Sequence, residues 1–180
     1  MSRVGKQIIT IPKGVTVTSN AGEVTVVGPR GTLVRTFRSD VAIIVEDTTV
    51  RFEKVKENGF TNALWGTYAS HVINMIEGVT IGFKKVLILD GVGYRMELAG
   101  DTLKMALGFS HPTIVKIPED IKAVVEKNRI TLESNDKERI GAFAGTLYAM
   151  KKPEPYKGKG FHYEGQILIR KQGKRQGTGA

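Results

Sequence analysis

Cysteine is absent from the 180-residue chain, so disulfide staples, thiolate metal ligands and thiol nucleophiles are all excluded. Histidine occurs three times, at His71, His111 and His162. These are scattered, with no His-x-x-x-His spacing, and they compose no metal site. There is no Gly-x-Ser-x-Gly elbow and no Walker loop. Gly91-Val92-Gly93 is too short for a dinucleotide fingerprint, and it precedes a strand pattern where that fingerprint opens a helix. No pair of carboxylates stands out as an acid–base couple. No apolar run approaches the roughly 18 residues that a membrane span needs. The opening Met1-Ser2-Arg3-Val4-Gly5-Lys6 lacks the apolar core of a secretory signal. The expectation is a cytoplasmic protein that is not an enzyme, carries no cofactor and has no membrane partner.

What is present in excess is positive charge. Lys and Arg outnumber Asp and Glu 27 to 18, a net charge of +9, on a chain that is 41% hydrophobic and 25% charged. Those last two values belong to ordinary globular proteins, whereas the surplus favours a polyanionic partner. The surplus is also lopsided. Residues 1–82 carry a net charge of +2 and residues 83–180 a net of +7, of which residues 151–180 alone hold +6. A charge kept only for solubility has no reason to gather at one end.

The chain also repeats itself. Ala63-Leu64-Trp65-Gly66-Thr67-Tyr68-Ala69 resembles Ala142-Phe143-Ala144-Gly145-Thr146-Leu147-Tyr148-Ala149. Asn20-Ala21-Gly22-Glu23 matches Leu98-Ala99-Gly100-Asp101, Val50-Arg51-Phe52-Glu53 matches Ile130-Thr131-Leu132-Glu133, and Ile81-Gly82-Phe83 matches Lys159-Gly160-Phe161. Four matches in order, all at spacings of 78 to 80 residues, indicate a duplicated domain; two copies are too few for a solenoid. The boundaries follow as 1–82 and 83–180.

Within each copy the hydrophobic period changes from strand to helix. Alternating segments near residues 15–18, 23–27, 32–37, 41–45 and 49–54 read as strands, followed by a helix over about 61–77 with Leu64, Tyr68, Val72 and Met75 at helical spacing. The second copy gives strands near 84–89, 94–98, 102–107, 113–117, 123–125 and 129–133, then a helix over about 136–150 with Ile140, Phe143, Ala144 and Leu147 on one face. The class is α+β: two tandem similar domains, each a mostly antiparallel sheet with one covering helix. Gly28-Pro29-Arg30-Gly31 lies between two strand patterns and reads as a hairpin turn, although it fits the bare Gly-x-x-Gly pattern of a KH loop. Trp65 and His71 fall within the helical pattern and read as packing residues.

The segment Lys151-Lys152-Pro153-Glu154-Pro155-Tyr156-Lys157-Gly158-Lys159-Gly160-Phe161-His162-Tyr163 concentrates binding chemistry. Pro153 stops the helix and Pro155 keeps the next residues extended. Lysines supply charges for phosphates, and Tyr156, Phe161, His162 and Tyr163 supply flat faces for a base or ribose. Gly158 and Gly160 let the backbone approach a partner. The matching place in the first copy, Gly78-Val79-Thr80-Ile81-Gly82-Phe83, has no lysine. The basic, glycine-rich end from Arg170 to Ala180 cannot form a core, and such ends become ordered against nucleic acid. The RNA-binding candidates are therefore Lys151, Lys152, Tyr156, Lys157, Gly158, Lys159, Gly160, His162, Arg170, Lys171, Lys174 and Arg175. Lys85, Arg95, Lys104 and His111 form a second set.

The segment Pro153–Gly160 resembles the signature of the large-subunit ribosomal protein six family in its bacterial form. Ser2-Arg3-Val4-Gly5-Lys6, with Ile11-Pro12-Lys13-Gly14-Val15, is similar to that family's start. Gly91-Val92-Gly93-Tyr94-Arg95 and Leu107-Gly108-Phe109-Ser110-His111-Pro112 are similar to its mid-chain motifs, so the resemblance runs from end to end. Phe161 stands where the family more often has an aliphatic residue. The resemblance implies two similar α+β domains, the second binding large-subunit ribosomal RNA. It further implies a position near the stalk base and the sarcin–ricin loop, among neighbouring ribosomal proteins. Transient contact with translational GTPases is implied by that location alone. Tyr156, Lys157, Gly158, Lys159 and Gly160 match the family motif and take its RNA-binding role. From the residues alone, two alternatives stay open: an enzyme acting on RNA, and a scaffold whose basic end binds acidic proteins.

Overall fold

The computed structural model describes residues 7–173. It divides into two units: the chain up to Phe83 together with Asn135–Lys137, and Lys84–Ser134 together with the chain from Glu138 onward.

In the first unit, six strands precede one helix: β1 (Ile9–Thr10), β2 (Thr16–Asn20), β3 (Glu23–Gly28), β4 (Gly31–Thr36), β5 (Val41–Val45), β6 (Thr49–Lys54) and α1 (Gly59–Thr80). Alternate residues turn inward, so Val24 and Val26 on β3 and Val50 and Phe52 on β6 are buried while their neighbours face outward. The strands form two three-stranded sheets, in the orders β1-β6-β5 and β2-β3-β4. The single sheet expected from the strand pattern is thus split. β2, β3 and β4 pair only with their neighbours in sequence, through tight turns, whereas β6 is flanked by β5 and the distant β1. In the β2–β3 turn, Ala21 and Gly22 both have positive φ (48° and 87°), as a two-residue hairpin with this twist requires. Gly28-Pro29-Arg30-Gly31 is a hairpin turn too, with Gly28 opposite Gly31, and the KH comparison ends there.

Helix α1 starts where Asn58 accepts a hydrogen bond from the Thr61 N–H at 2.6 Å, satisfying one free donor of the first turn. It ends where Gly82, at φ 79°, returns its N–H to the Glu77 carbonyl. Trp65, Tyr68, Ala69, Val72, Met75, Ile76 and Val79 form its buried stripe. Trp65 joins the core, and its Nε1–H donates to the Phe52 carbonyl at 2.8 Å. His71 is half-buried, with its ring 6.3 Å from that of Phe37.

The second unit repeats the plan: β7 (Phe83–Asp90), β8 (Arg95–Ala99), β9 (Thr102–Ala106), β10 (Thr113–Lys116), β11 (Lys122–Glu126), β12 (Arg129–Ser134) and α2 (Lys137–Met150). The order β10-β9-β8 mirrors β4-β3-β2, and β11-β12-β7 mirrors β5-β6-β1. Its core draws Leu87 and Leu89 from β7, Leu103 and Met105 from β9, Ile130 and Leu132 from β12, and Ile140, Phe143, Ala144 and Leu147 from α2. Among the described residues, one strand has no counterpart in the first unit. β13 (Gly160–Tyr163) pairs antiparallel with β7, Gly160 opposite Asp90 and Tyr163 opposite Leu87. The sequence reads this stretch as loop because its glycines and charges mask a four-residue strand.

β13 is anchored by Phe161, which is completely buried, so the flat face expected there for stacking is part of the core. Replacing Phe161 by Ala is expected to destabilise the protein by about 3–5 kcal/mol. Phe161→Leu, which keeps an apolar side chain and most of the buried volume, should cost under about 1.5 kcal/mol. Urea unfolding curves of the two variants provide the check.

Candidate nucleic-acid interface

The pairing register fixes which loops of the second unit lie together. Gly160 is opposite Asp90, the last residue of β7, so the segment leaving α2 arrives beside the β7–β8 loop, Gly91 to Tyr94. Arg95, the first residue of β8, is opposite Ala106, the last of β9, which brings the β9–β10 loop, Leu107 to Pro112, to the same end. Three loops distant in sequence are thereby gathered.

The segment after α2 closes on itself through its backbone. The Phe161 N–H donates to the Lys151 carbonyl, the Glu154 N–H to the Lys159 carbonyl and the Gly158 N–H to the Glu154 carbonyl, at 2.8 to 2.9 Å. With these three N–H groups bonded across the loop, the exposed side chains of Tyr156 and Lys157 project from a closed rim. The Lys171 N–H donates to the Pro155 carbonyl at 2.7 Å, so the chain returns to this rim after β13. The Arg170 guanidinium lies over Gly158, its Nε 3.0 Å from where a Cβ would stand. The backbone positions of Lys151, Lys152, Lys157, Lys159, Arg170 and Lys171 are therefore brought together, although the first and last are twenty positions apart. One acid, Glu154, sits among them, exposed.

Two glycines have a different role from the one expected. Gly158 and Gly160 are buried, and the space they leave is filled by their own chain. A Cβ on Gly160 would lie 2.5 Å from the Lys152 carbonyl oxygen and 2.6 Å from that of Lys151. Their small size lets the loop close on itself. His162 is also displaced from its expected role. Its side chain is only 14% exposed, and its Nε2 lies 3.0 Å from Asp90 Oδ2, so it braces β13 against β7 and offers no free stacking face. Tyr163 stacks on Tyr148, with ring centroids 5.4 Å apart.

The second set of candidates divides. Arg95 is exposed and directly follows Tyr94 at the gathered end. His111 is exposed in the β9–β10 loop. Lys85 packs over the Tyr163 ring at 5.4 Å, five residues along β7 from Asp90 and so roughly 16 Å from the loop end. Lys104 lies mid-strand on β9, opposite Glu97 on β8 and Ile114 on β10. These two lysines stand outside the cluster. Lys174 and Arg175 lie outside the described residues.

Two residues that charge counting does not single out complete the site. The Tyr94 ring is wedged against Gly91 and Gly108, both at positive φ, where a Cβ on either would meet it. The Lys151 ammonium lies 5.8 Å from the Tyr94 ring centroid and 4.8 Å from that of Phe109, within cation–π range. The signal was available in the spacing of Gly91, Tyr94 and Gly108, but only the pairing register gives it meaning.

The ribosomal protein L6 family model matches this chain twice, over residues 11–82 and 91–164. The chain belongs to the ribosomal protein L6 family. It is 46% identical to the large ribosomal subunit protein uL6 of Halalkalibacterium halodurans, covering 97% of this chain and 98% of that one. It is 43% identical to those of Oenococcus oeni and Nitratiruptor sp., with the same coverage. Like the rest of the family, it is a structural, non-enzymatic constituent of the large ribosomal subunit. The double match also accounts for the duplicated architecture.

Because Gly160 abuts main-chain oxygens and Gly158 only the flexible end of an arginine, the two should respond differently to a methyl group. Gly160→Ala is expected to cost about 2–3 kcal/mol and to open the loop to proteolysis at its lysines. Gly158→Ala should cost about 1 kcal/mol, the strain of a left-handed alanine. Thermal melts and limited proteolysis of both variants test this.

Proposed function

We propose that the gathered end of the second unit is the surface through which this protein holds large-subunit ribosomal RNA. Lys151, Lys152, Lys157, Lys159, Arg170 and Lys171 neutralise phosphates there, and Tyr156, 54% exposed, offers a ring for a ribose or base. The observation that carries this reading is the gathering of six cation-bearing positions on a rim closed by backbone hydrogen bonds. A rigid cationic rim binds without the ordering cost that a flexible loop would incur. Ribosomal RNA supplies the density of phosphates that such a rim requires.

The family's setting suggests the finer assignment. The bound RNA lies near the stalk base and the sarcin–ricin loop, beside neighbouring ribosomal proteins, and the protein braces the region where translational GTPases dock. Its place of work is the ribosome in the cytoplasm. The chain has no native cysteine, so a single Glu154→Cys substitution can carry a tethered iron chelate on this rim. Strand scission in the sarcin–ricin loop of assembled subunits is the expected result; scission confined to other regions rejects the location.

Six phosphate contacts predict that log K falls with log salt at a slope of about −4 to −5. The double variant Lys157→Ala/Lys159→Ala should keep its fold and flatten the slope by about 1.5 to 2. Filter binding to ribosomal RNA over a salt series measures both. Unchanged affinity at moderate salt removes these lysines from the interface.

A further inference from the structure

We propose that Phe109 and His111 form a stacking platform for an unpaired RNA nucleotide, at the edge of the cationic rim. The inference rests on the reading of that end as the RNA-facing surface, and adds to it a preference for single-stranded over paired RNA.

Phe109 is 49% exposed, and its ring lies near-parallel to that of His111, at 19° with centroids 6.3 Å apart. Ser110, His111 and Pro112 around it are exposed. The loop carrying these rings is held from behind. Gly108 turns at φ 78°, Tyr94 fills the space beside it and Lys151 bridges the Tyr94 and Phe109 rings. A ring kept half in water yet fixed in position is pre-organised for a flat partner, and little freedom is lost when that partner arrives. The cations say what the flat partner is attached to. Lys151, which touches Phe109, begins the stretch that continues through Lys152, Lys157 and Lys159, so a chain of phosphates running along the rim would bring its bases past the two rings. A paired base has both faces buried in its own duplex, so only a nucleotide in a loop, bulge or end can offer one.

The test uses the full chain and two RNAs of matched length: a single strand carrying 2-aminopurine, and the same strand annealed to its complement. On binding the single strand, the wild-type protein should quench the 2-aminopurine. Phe109→Ala should abolish the quench and weaken single-strand binding about 5- to 100-fold, leaving duplex binding unchanged. Phe109→Trp, which keeps a flat face, should restore both quench and affinity. Lys157→Ala/Lys159→Ala should weaken both RNAs. If Phe109→Ala leaves both RNAs unaffected, or weakens them equally, while the lysine variant still weakens both, the platform is rejected and the RNA surface stands. If the lysine variant also leaves both unaffected, the RNA reading of this end falls, and the platform with it. If Phe109→Ala spares RNA binding but releases a neighbouring ribosomal protein from the particle, the rings dock protein and the proposal is overturned.

Discussion

The antiparallel pairing of β13 with β7 is the constraint on which the rest of the second unit depends. A chain leaving the end of α2 has to enter the sheet within ten residues, between Met150 and Gly160. It does so only by folding into a loop whose polar backbone groups bond to one another, with glycine where main chain meets main chain. Phe161, buried in the core, holds the strand in register. The charged side chains cannot follow it inward, because an unpaired buried ammonium is far costlier than a solvated one. They stay on the rim, and the folding of the core thereby sets the spacing of the cations.

This explains how only one of two similar units carries the cationic rim proposed to bind RNA. Both share the strand orders β1-β6-β5 and β2-β3-β4 and one helix, and the second adds β13 at the edge of one sheet. The first unit passes from α1 through Ile81 and Gly82 with no lysine and no added rim. The second inserts Lys151 to Lys159 between helix and strand. Duplication supplied the scaffold, and a helix exit of nine residues (151–159) where the first copy has two (81–82) gives one copy a cationic surface. Stability and binding are separable in such an arrangement, because the residues that seal the loop (Gly158, Gly160, Phe161) are buried and the cations are not. Tyr94 extends the same logic to the two neighbouring loops, which it joins through Gly91 and Gly108.

Much of this was legible in the residues. The repeat spacing, the strand alternation and the helical stripes of Leu64–Met75 and Ile140–Leu147 gave the elements to within a few residues, because each reports directly on which face is buried. The splitting of each unit into two sheets was not legible, since pairing between β1 and β6 is set by contacts some forty residues apart. β13 escaped notice because a strand of four residues with glycine at its head has almost no period to read. The same blindness misassigned the aromatics: Phe161 and His162 share a composition with Tyr156, but only their place on a strand sends one into the core and the other onto Asp90. Charge clustering pointed to Lys151–Lys159 and Arg170–Lys171 without strand pairing, whereas Lys85 and Lys104, on strands, could be judged only from the register.

The central claim is that one end of the second unit faces the RNA. Ultraviolet cross-linking of the protein in assembled large subunits, with the cross-linked amino acids identified by mass spectrometry, tests it most directly. The account predicts adducts on Tyr156, Phe109 and the lysines from 151 to 159. Adducts confined to the first unit, or to the outward face of β8, β9 and β10 around Lys104, would contradict it.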